Sequence, residues 1–303
     1  MIQLERFENQ PTCPICGAGH AHNLGRIRYG RSPIEFSSAK VDVSRLNAHL
    51  LECSHCGARR SSPMLSPQAT AALYADAPVG RWSGEDARFE AVLDKAGVQI
   101  PERPGDVLDY GCYTGGLLDC FQKRGWRTHG VDLCKAATAV ATEKGHKAVA
   151  GGTEQIATLG RKFDVVTLFD VIEHLPRPHE LLAALAGALA PGGELWILTG
   201  DAECMASRLL GSRWWYVSFV EHVVFYKLDN LAAVLGRAGL RISGASRLRY
   251  LDGGLTKQAK QWLATGVYAA ANPWLGGSQT RLGAGPPPQL PVRDHLLVRA
   301  TIA

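Results

Sequence analysis

Four cysteines occur in two pairs that have the spacing of metal ligands. The pairs are Cys13–Cys16 and Cys53–Cys56, and a glycine follows each of them. A C-x-x-C turn ending in glycine lets two thiolates face one cation, so two such turns form a tetrahedral four-thiolate zinc site. The alternative is a redox dithiol, but the βαβ pattern expected around such a motif is missing here. Because the four sulfurs leave no open position, the zinc is expected to be structural.

A glycine turn follows a short apolar run further along the chain. Its residues are Asp109-Tyr110-Gly111-Cys112-Tyr113-Thr114-Gly115. A dinucleotide turn needs G-x-G-x-x-G, and Tyr113 stands where the second glycine would let a pyrophosphate approach. A P-loop is excluded because the Gly-Lys-Ser/Thr ending is absent. The acid before the turn, Asp109, favours a cationic or amino-bearing ligand over a phosphate.

A second carboxylate completes this pattern. Asp132 comes at the end of the next predicted strand, where acidic residues accept hydrogen bonds from a ribose diol. A ribose partner without a cradle for pyrophosphate suggests S-adenosylmethionine (SAM). The two carboxylates and the interrupted glycine turn therefore predict a SAM site.

The elements that must position these residues alternate between strand and helix from residue 106. Strands are predicted at 107–110, 126–131, 147–150, 163–169, 194–199, 240–246 and 295–301. Helices are predicted at 67–75, 85–96, 117–124, 135–144, 178–190 and 229–237, with Ser66 and Ser83 as N-caps of the first two. Repeated βα units predict an α/β fold with a doubly wound, mostly parallel sheet and helices on both faces.

The composition agrees with a globular enzyme. Of the 303 residues, 46% are apolar and 20% are charged, and 33 basic against 28 acidic residues give a net charge of +5. This balance is far from that of a dedicated nucleic-acid binder. The polar N-terminus carries no secretory signal, and no apolar run approaches the roughly 20 residues of a membrane span. We expect a soluble, cytoplasmic protein without a membrane or nucleic-acid partner.

Three motifs resemble those of the class I SAM-dependent methyltransferases. Val107–Gly115 is similar to their first motif, Phe163–Pro176 to their fourth-strand motif, and Pro191–Leu195 to the P-G-G turn before their fifth strand. The resemblance covers about 106–245 and implies a Rossmann-like, seven-stranded sheet with an antiparallel final strand. It also implies a set of cofactor contacts. These are Asp109, Gly111, Cys112, Tyr113, Gly115, Asp132, Leu133, Thr153, Glu154, Phe169 and Asp170.

The N-terminal region carries a further resemblance. Cys13 to Tyr74 looks like the zinc-bearing region of bacterial methyltransferases that act mainly on nucleotide-linked sugars, glycans and secondary metabolites. Together with the proline-rich stretch at 61–67 and the two predicted helices after it, this predicts a zinc-binding module at 1–66, a helical linker at 67–100 and a methyltransferase domain at 101–303. Insertions at 201–226, which is rich in aromatic residues, and at 250–292 are expected to bind the substrate or to form lids.

Candidate catalytic residues come from the same resemblance. Trp214-Trp215 and Glu221–Tyr226 are similar to a W…E-H segment in which, in nucleotide-sugar C-methyltransferases, a Glu-His pair takes part in proton transfer. We predict His222 as the base and Glu221 as its orienter or an alternative base. Neighbours in a strand point to opposite faces, so one of the two is expected to face the substrate.

Two further residues, His174 and Tyr74, are candidates with structural alternatives. His174 follows the fourth strand and is expected near the methyl group, as the base or as an orienter of Glu173. Tyr74 resembles the tyrosine at which the N-terminal region meets the active site, or else packs in the core. Five arginines form either a solvated basic face or a phosphate-binding surface. They are Arg26, Arg28, Arg31, Arg59 and Arg60.

The function predicted from the sequence is methyl transfer from SAM to a small-molecule acceptor. The acceptor group is expected to be a hydroxyl or amine of a nucleotide-linked sugar, glycan precursor or secondary metabolite. A substrate that bears a phosphate is included in this expectation. C-methylation is less favoured because the further C-terminal domain of sugar C-methyltransferases does not follow. Two rivals stay open: an RNA methyltransferase that grips RNA with the zinc module, and a non-catalytic SAM-binding scaffold. The oligomeric state also stays open.

Overall fold

A computed structural model describes residues 6–27, 32–36, 39–79, 88–250, 263 and 293–303. The N-terminal elements are strands β1 (Phe7–Glu8), β2 (Ala21–Arg26), β3 (Ile34–Phe36), β4 (Ala39–Val41), β5 (His49–Cys53), β6 (Arg59–Ser62) and β7 (Met64–Leu65), then helices α1 (Pro67–Ala75) and α2 (Arg88–Ala96). Ser66 caps α1 as predicted, since its hydroxyl accepts the N–H of Ala69 at 3.3 Å. Ser83 and residues 85–87 lie outside the described residues.

The remaining elements alternate between strand and helix. The strands are β8 (Asp106–Tyr110), β9 (Arg127–Asp132), β10 (Lys147–Ala150), β11 (Phe163–Phe169), β12 (Leu189–Gly200), β13 (Val224–Phe225), β14 (Leu240–Leu248) and β15 (His295–Ile302). The helices are α3 (Gly116–Gln122), α4 (Lys135–Glu143), α5 (Glu154–Thr158), α6 (Pro178–Ala188), α7 (Met205–Leu210) and α8 (Leu228–Arg237). None of these helices, nor any other among the described residues, is long and apolar enough to cross a membrane.

Seven strands form one sheet in the order β10-β9-β8-β11-β12-β15-β14. All neighbouring pairs are parallel except those that involve β15, which runs antiparallel to β12 and β14. Side chains of β11 alternate between two cores: Val166 and Leu168 pack with α6 and α8, while Val165 and Phe169 pack with α2 and α3. The predicted doubly wound sheet is therefore confirmed.

Two local features were not predicted. At the start of α8, the side chain of Asn230 accepts the backbone N–H of Lys227 at 3.0 Å. The short helix α5 was not predicted, because five residues are too few to show a helical period.

The aromatic insertion completes the N-terminal sheet. This sheet has the order β13-β6-β5-β2, and β13, which lies at the end of that insertion, pairs with β6 through Val224 and Arg60. Two of the five arginines have side chains that are partly or fully buried by this packing. Arg59 donates to Glu52 at 2.8 Å and to Ser207 at 2.5 Å, and Arg60 is 2% exposed.

The expectation of a solvated or phosphate-binding arginine surface is therefore wrong for Arg59 and Arg60. Their side chains connect the N-terminal sheet to neighbouring segments instead of facing solvent. Arg26 is exposed, and residues 28 and 31 lie outside the described residues.

Candidate functional site

The carboxyl ends of the parallel strands open into a cavity of about 650 Å³. Its walls are the turns after β8, β9 and β11, one face of α1, the segment 215–222 and the start of β15. This is the edge at which open α/β sheets bind ligands.

The glycine turn after β8 has little room for larger residues. Gly111 has φ +85°, and a Cβ there would lie 2.4 Å from a methyl carbon of Val171. Tyr113 also adopts a positive φ, +45°, so the tyrosine keeps a glycine-like backbone at a cost in strain. Its N–H donates to Asp132 at 2.9 Å and its hydroxyl to the carbonyl of Pro78 at 3.3 Å.

Asp132 is fixed by two backbone groups. Its carboxylate accepts the N–H of Tyr113 at 2.9 Å and that of Cys134 at 2.8 Å. Burial raises the pKa of Asp132, while these two hydrogen bonds oppose that effect. Since a carboxylate can accept about four hydrogen bonds, Asp132 can still accept from a diol in the cavity.

Asp109 is a buried acid at the bottom of the same end of the cavity. The hydroxyl of Thr167 donates to it at 2.7 Å, and no described residue forms an ion pair with it. Burial raises the pKa of Asp109 to about 7. A cationic ligand beside this carboxyl would favour its ionised form.

Most of the predicted cofactor residues meet at this cavity. Nine of the eleven line it, and the exceptions are Gly115 and Glu154. Gly115 precedes the first residue of α3 with φ +84°. The exposed side chain of Glu154 folds back to accept the N–H of Gly152 at 2.8 Å. No bound ligand tests these roles, so the cofactor contacts stay a prediction.

The four predicted catalytic residues line the same cavity. His174 Nδ1 lies 2.8 Å from the carbonyl oxygen of Glu221 and 2.7 Å from the hydroxyl of Tyr74. The rings of His174 and His222 meet edge to face at 4.7 Å. Tyr74 therefore reaches the cavity and is not simply a core residue.

His222 is held by the backbone of Tyr216. Its Nδ1 lies 2.6 Å from that carbonyl oxygen. Because a carbonyl only accepts, the proton lies on Nδ1 and Nε2 keeps its lone pair. Desolvation and the nearby His174 lower the pKa of His222 to about 3, so this ring is neutral at physiological pH.

Glu221 and His222 were expected to point to opposite faces of a strand, and this was wrong. They follow Val220 in a turn in which both of their N–H groups donate to the carbonyl of Ser218. The turn directs both side chains to the cavity wall. Alternation applies to extended backbone, which this segment does not adopt.

The aromatic insertion divides between the cavity and the core. Trp215 and Tyr216 line the cavity. The other four aromatic residues of the segment are buried. They are Trp214, Phe219, Phe225 and Tyr226.

Several cavity residues were not identified as site residues from the sequence, among them Arg88, Tyr250 and His295. Arg88 donates to Asp170 at 3.1 Å, Tyr250 donates its hydroxyl to the same carboxylate, and His295 stacks on Tyr250. A signal for His295 was available, because an antiparallel final strand must begin at the edge where the parallel strands end.

The four paired cysteines come together at a separate site. The Sγ atoms of Cys13 and Cys56 lie 3.6 Å apart and those of Cys16 and Cys53 lie 3.5 Å apart, with no disulfide among them. Sulfurs around tetrahedral zinc, with bonds of about 2.3 Å, are separated by about 3.8 Å. The donor set and its spacing fit a structural zinc ion.

The sheet order, the glycine turn after its first parallel strand and the carboxylate after its second define a Rossmann-like methyltransferase of the SAM-dependent class. The chain belongs to the methyltransferase domain family, whose model matches residues 82–243.

Three methyltransferases are similar to this chain over different lengths. The C-methyltransferase NovU of Streptomyces niveus is 28% identical over 246 residues, which cover 76% of this chain and 56% of that protein. A ubiquinone biosynthesis O-methyltransferase of Xylella fastidiosa is 27% identical over 177 residues, or 52% of this chain and 70% of that protein. The corresponding protein of Pseudomonas aeruginosa is 31% identical over 135 residues, or 39% and 57%. The chain thus spans little more than half the length of two of these three relatives.

One solved structure supports the fold. It is a chain from the complex between the Haloferax volcanii Trm112 methyltransferase activator and a methyltransferase, with a TM-score of 0.53 and 17% identity. The match covers 77% of this chain and 97% of that one.

Proposed function

We propose that this protein transfers a methyl group from SAM to a hydroxyl or amine of a small-molecule acceptor. One observation carries the proposal: a single cavity is lined by two carboxylates, a glycine turn and a histidine–tyrosine cluster. The relatives named as O- and C-methyltransferases support this chemistry. We retain a sugar, glycan precursor or secondary metabolite as the acceptor class.

SAM would supply a methyl group bound to a cationic sulfur. Asp132 would accept the ribose hydroxyls, and the buried carboxylate of Asp109 would favour the positive charge of the ligand. The main contribution of the cavity would be alignment of the acceptor atom with the methyl group, which can be worth roughly 7–11 kcal/mol.

The charges of the cavity restrict the acceptor. Six described lining residues carry carboxyl groups and two carry guanidinium groups. A phosphate inside this cavity would face more negative than positive side chains. Any phosphate of a nucleotide-linked acceptor would therefore lie outside the cavity, and the reacting end would be neutral or cationic.

We propose that His222 contacts the acceptor through Nε2 and accepts its proton or hydrogen bond. The fixed Nδ1–H tautomer supports this role. His174 and Tyr74 would orient the acceptor from the other side, and Glu221 would hold the turn through its hydrogen bond from the Ser218 hydroxyl at 3.0 Å.

The test is transfer of isotopically labelled methyl groups. The full chain is incubated with labelled SAM and the small-molecule extract of its source cells, and mass spectrometry identifies the labelled product. We expect a methylated small molecule that boiled protein does not form. Label that enters RNA instead would support the rival RNA methyltransferase. SAM binding without any transfer would support a non-catalytic scaffold.

We also propose a structural zinc ion at the four cysteines. For the domains we propose a zinc-binding module at 1–66, a linker at 67–100 and a methyltransferase domain at 101–303. The contribution of β13 to the N-terminal sheet supports a tight association between the module and the insertion at 201–226. The second insertion, 250–292, lies outside the described residues except for Tyr250 and Leu263.

A further inference from the structure

A third histidine at the cavity differs from His174 and His222 in the group that holds its ring. His295 begins β15 and lines the cavity. Its Nδ1 lies 2.9 Å from a carboxylate oxygen of Asp294, whereas the other two rings contact backbone carbonyls. An ionised carboxylate only accepts, so the Nδ1 proton points to Asp294 and Nε2 keeps its lone pair.

The lone pair on Nε2 is buried without a donor. The side chain of His295 is 0% exposed, and Nε2 has no hydrogen-bond partner among the described residues. A buried polar atom without a partner costs free energy that a donor group would recover. His295 is among the residues that line the cavity, so a ligand hydroxyl or amine would supply that donor once the side chains that cover Nε2 move aside.

Aromatic contacts hold the ring in place. It stacks on Tyr250 at 4.1 Å with an interplanar angle of 10° and meets the edge of Tyr216 at 5.1 Å. Tyr250 is itself fixed by its hydroxyl contact with Asp170 and by the guanidinium of Arg88, 4.7 Å from its ring centre. A ring that is held in this way keeps its orientation when an acceptor binds.

We propose that His295 is a catalytic residue whose Nε2 takes the proton of the acceptor while Asp294 stabilises the resulting imidazolium. The proposal rests on the proposed methyl transfer. The acceptor O–H or N–H bond breaks and its proton moves to Nε2. The acceptor atom forms a bond to the methyl carbon as the carbon–sulfur bond breaks, and the electron pair of that bond stays on sulfur.

The partner of the Nδ1 atom differs between His295 and His222. Nδ1 of His295 faces the carboxylate of Asp294, whereas Nδ1 of His222 faces a backbone carbonyl, and desolvation and the nearby His174 lower the pKa of His222. The titratable groups that face His295 are Asp294 on β15, Asp170 after β11, Tyr250 after β14, and Tyr216 and His222 in the aromatic insertion. His222 would then bind and orient the acceptor, and His295 would retain the proton.

The tautomer of His295 can be measured without knowing the acceptor. Two-bond ¹H–¹⁵N spectra of the full chain with ¹⁵N-labelled histidine show which ring nitrogen carries the proton, and His295→Gln identifies the signal. We expect a protonated Nδ1 and an unprotonated Nε2 at neutral pH. A proton on Nε2 of the neutral ring would overturn the proposal.

Turnover tests the catalytic role, with the acceptor that the labelled-SAM experiment identifies. We expect His295→Gln to lower kcat by roughly 10²–10⁴-fold and to leave SAM affinity unchanged. Asp294→Asn, which keeps an acceptor for Nδ1–H but removes the charge, should lower kcat with the same unchanged affinity.

The matched control is another buried histidine with an aspartate partner. His146 Nε2 lies 2.9 Å from Asp119, and His146 is not among the lining residues of the cavity. His146→Gln should keep the wild-type kcat even if it lowers stability. An active wild type with an unimpaired His295→Gln variant would overturn only the role of His295, whereas an inactive wild type would overturn methyl transfer itself.

Discussion

The residues at the cavity are held in conformations that cost free energy. Among the described residues, only Tyr113, Asp170 and Val220 combine a side chain with a positive φ. Tyr113 and Asp170 line the cavity, and Val220 immediately precedes Glu221. Such conformations cost of order 1–3 kcal/mol each and persist where the surroundings determine them. Their location supports assignment of this cavity as the functional site.

Asp132→Ala tests the ribose contact. We expect SAM affinity to fall roughly 10–100-fold, because hydrogen bonds to a charged group contribute about 1.5–3 kcal/mol. Isothermal titration calorimetry measures the change. Glu143→Ala is the control, since this exposed acid of α4 lies outside the cavity lining and should leave affinity unchanged. Equal affinities for wild type and Asp132→Ala would remove Asp132 from the site.

Asp109 predicts how SAM binding depends on pH. Its pKa is raised to about 7, so at lower pH the carboxyl is mostly protonated and must release a proton to pair with a cation. Affinity should therefore increase as pH rises toward about 7 and level off above it. Calorimetry at several pH values checks this, and Asp109→Asn should lose this dependence. Affinity that falls with rising pH would contradict the assignment.

His222→Ala separates binding from turnover. We expect kcat to fall by roughly 10²–10⁴-fold and SAM affinity to stay unchanged, because the ring lies at the acceptor end and contributes through proton transfer or orientation. Single-turnover rates and calorimetry report the two effects. Full activity in this variant would exclude His222 from the mechanism.

At the scale of elements, the turns at the carboxyl ends of the strands decide where the site residues lie. The turn after β8 passes so close to Val171 that Gly111 has no space for a Cβ. The segment before β13 reverses direction at residues 218–222, which brings Glu221 and His222 to the same wall. Neither feature belongs to a regular strand or helix.

Gly111→Ala should destabilise the protein more than Gly160→Ala. Both glycines have a positive φ, but only the Cβ at position 111 would meet another atom, at 2.4 Å, while that at 160 has open space around it. We expect the strain of a positive φ, about 1–2 kcal/mol, in both variants and a further loss from the clash in the first. Thermal unfolding compares them. Equal losses of stability in the two variants would show that the turn accommodates the Cβ at position 111 without strain.

At the scale of the whole molecule, the cysteine cluster is fastened to the methyltransferase sheet. His179 on α6 contacts the carbonyl of Pro14 at 2.9 Å, and Arg237 on α8 donates to that of Ile15 at 2.5 Å. Lys227 forms an ion pair with Glu52 at 3.1 Å. A metal ion that orders the cysteine turns would therefore also support the helices beneath them.

Cys16→Ser should remove the zinc ion and lower the stability of the chain. We expect about one zinc per wild-type chain by elemental analysis, little in the variant, and a clearly lower unfolding temperature. SAM affinity should persist, because the seven-stranded sheet builds that end of the cavity. Cys120→Ser, a buried cysteine away from the cluster, should keep its zinc. A wild type without zinc would contradict the site.

Much of the fold followed from local signals in the sequence. The apolar run of β11, the proline at the start of α6 and the Ser66 cap lie within a few residues of the elements they define, so periodicity and turn chemistry were sufficient. The same holds for the paired cysteines and for the glycine turn, whose ligands or backbone lie in short stretches of chain. The resemblance to methyltransferases supplied the antiparallel direction of β15.

The tertiary structure decided which distant residues meet. In the structure Tyr74 contacts His174. The side chain of Arg59 is partly buried and that of Arg60 is buried. His295 lies beside residues from three other segments. These contacts join residues far apart in the sequence, 100 positions for Tyr74 and His174 and 148 for Arg59 and Ser207. A local sequence pattern does not report such contacts. The sequence by itself determined the class of sheet and the type of chemistry, whereas only the packing determined the acceptor end of the cavity.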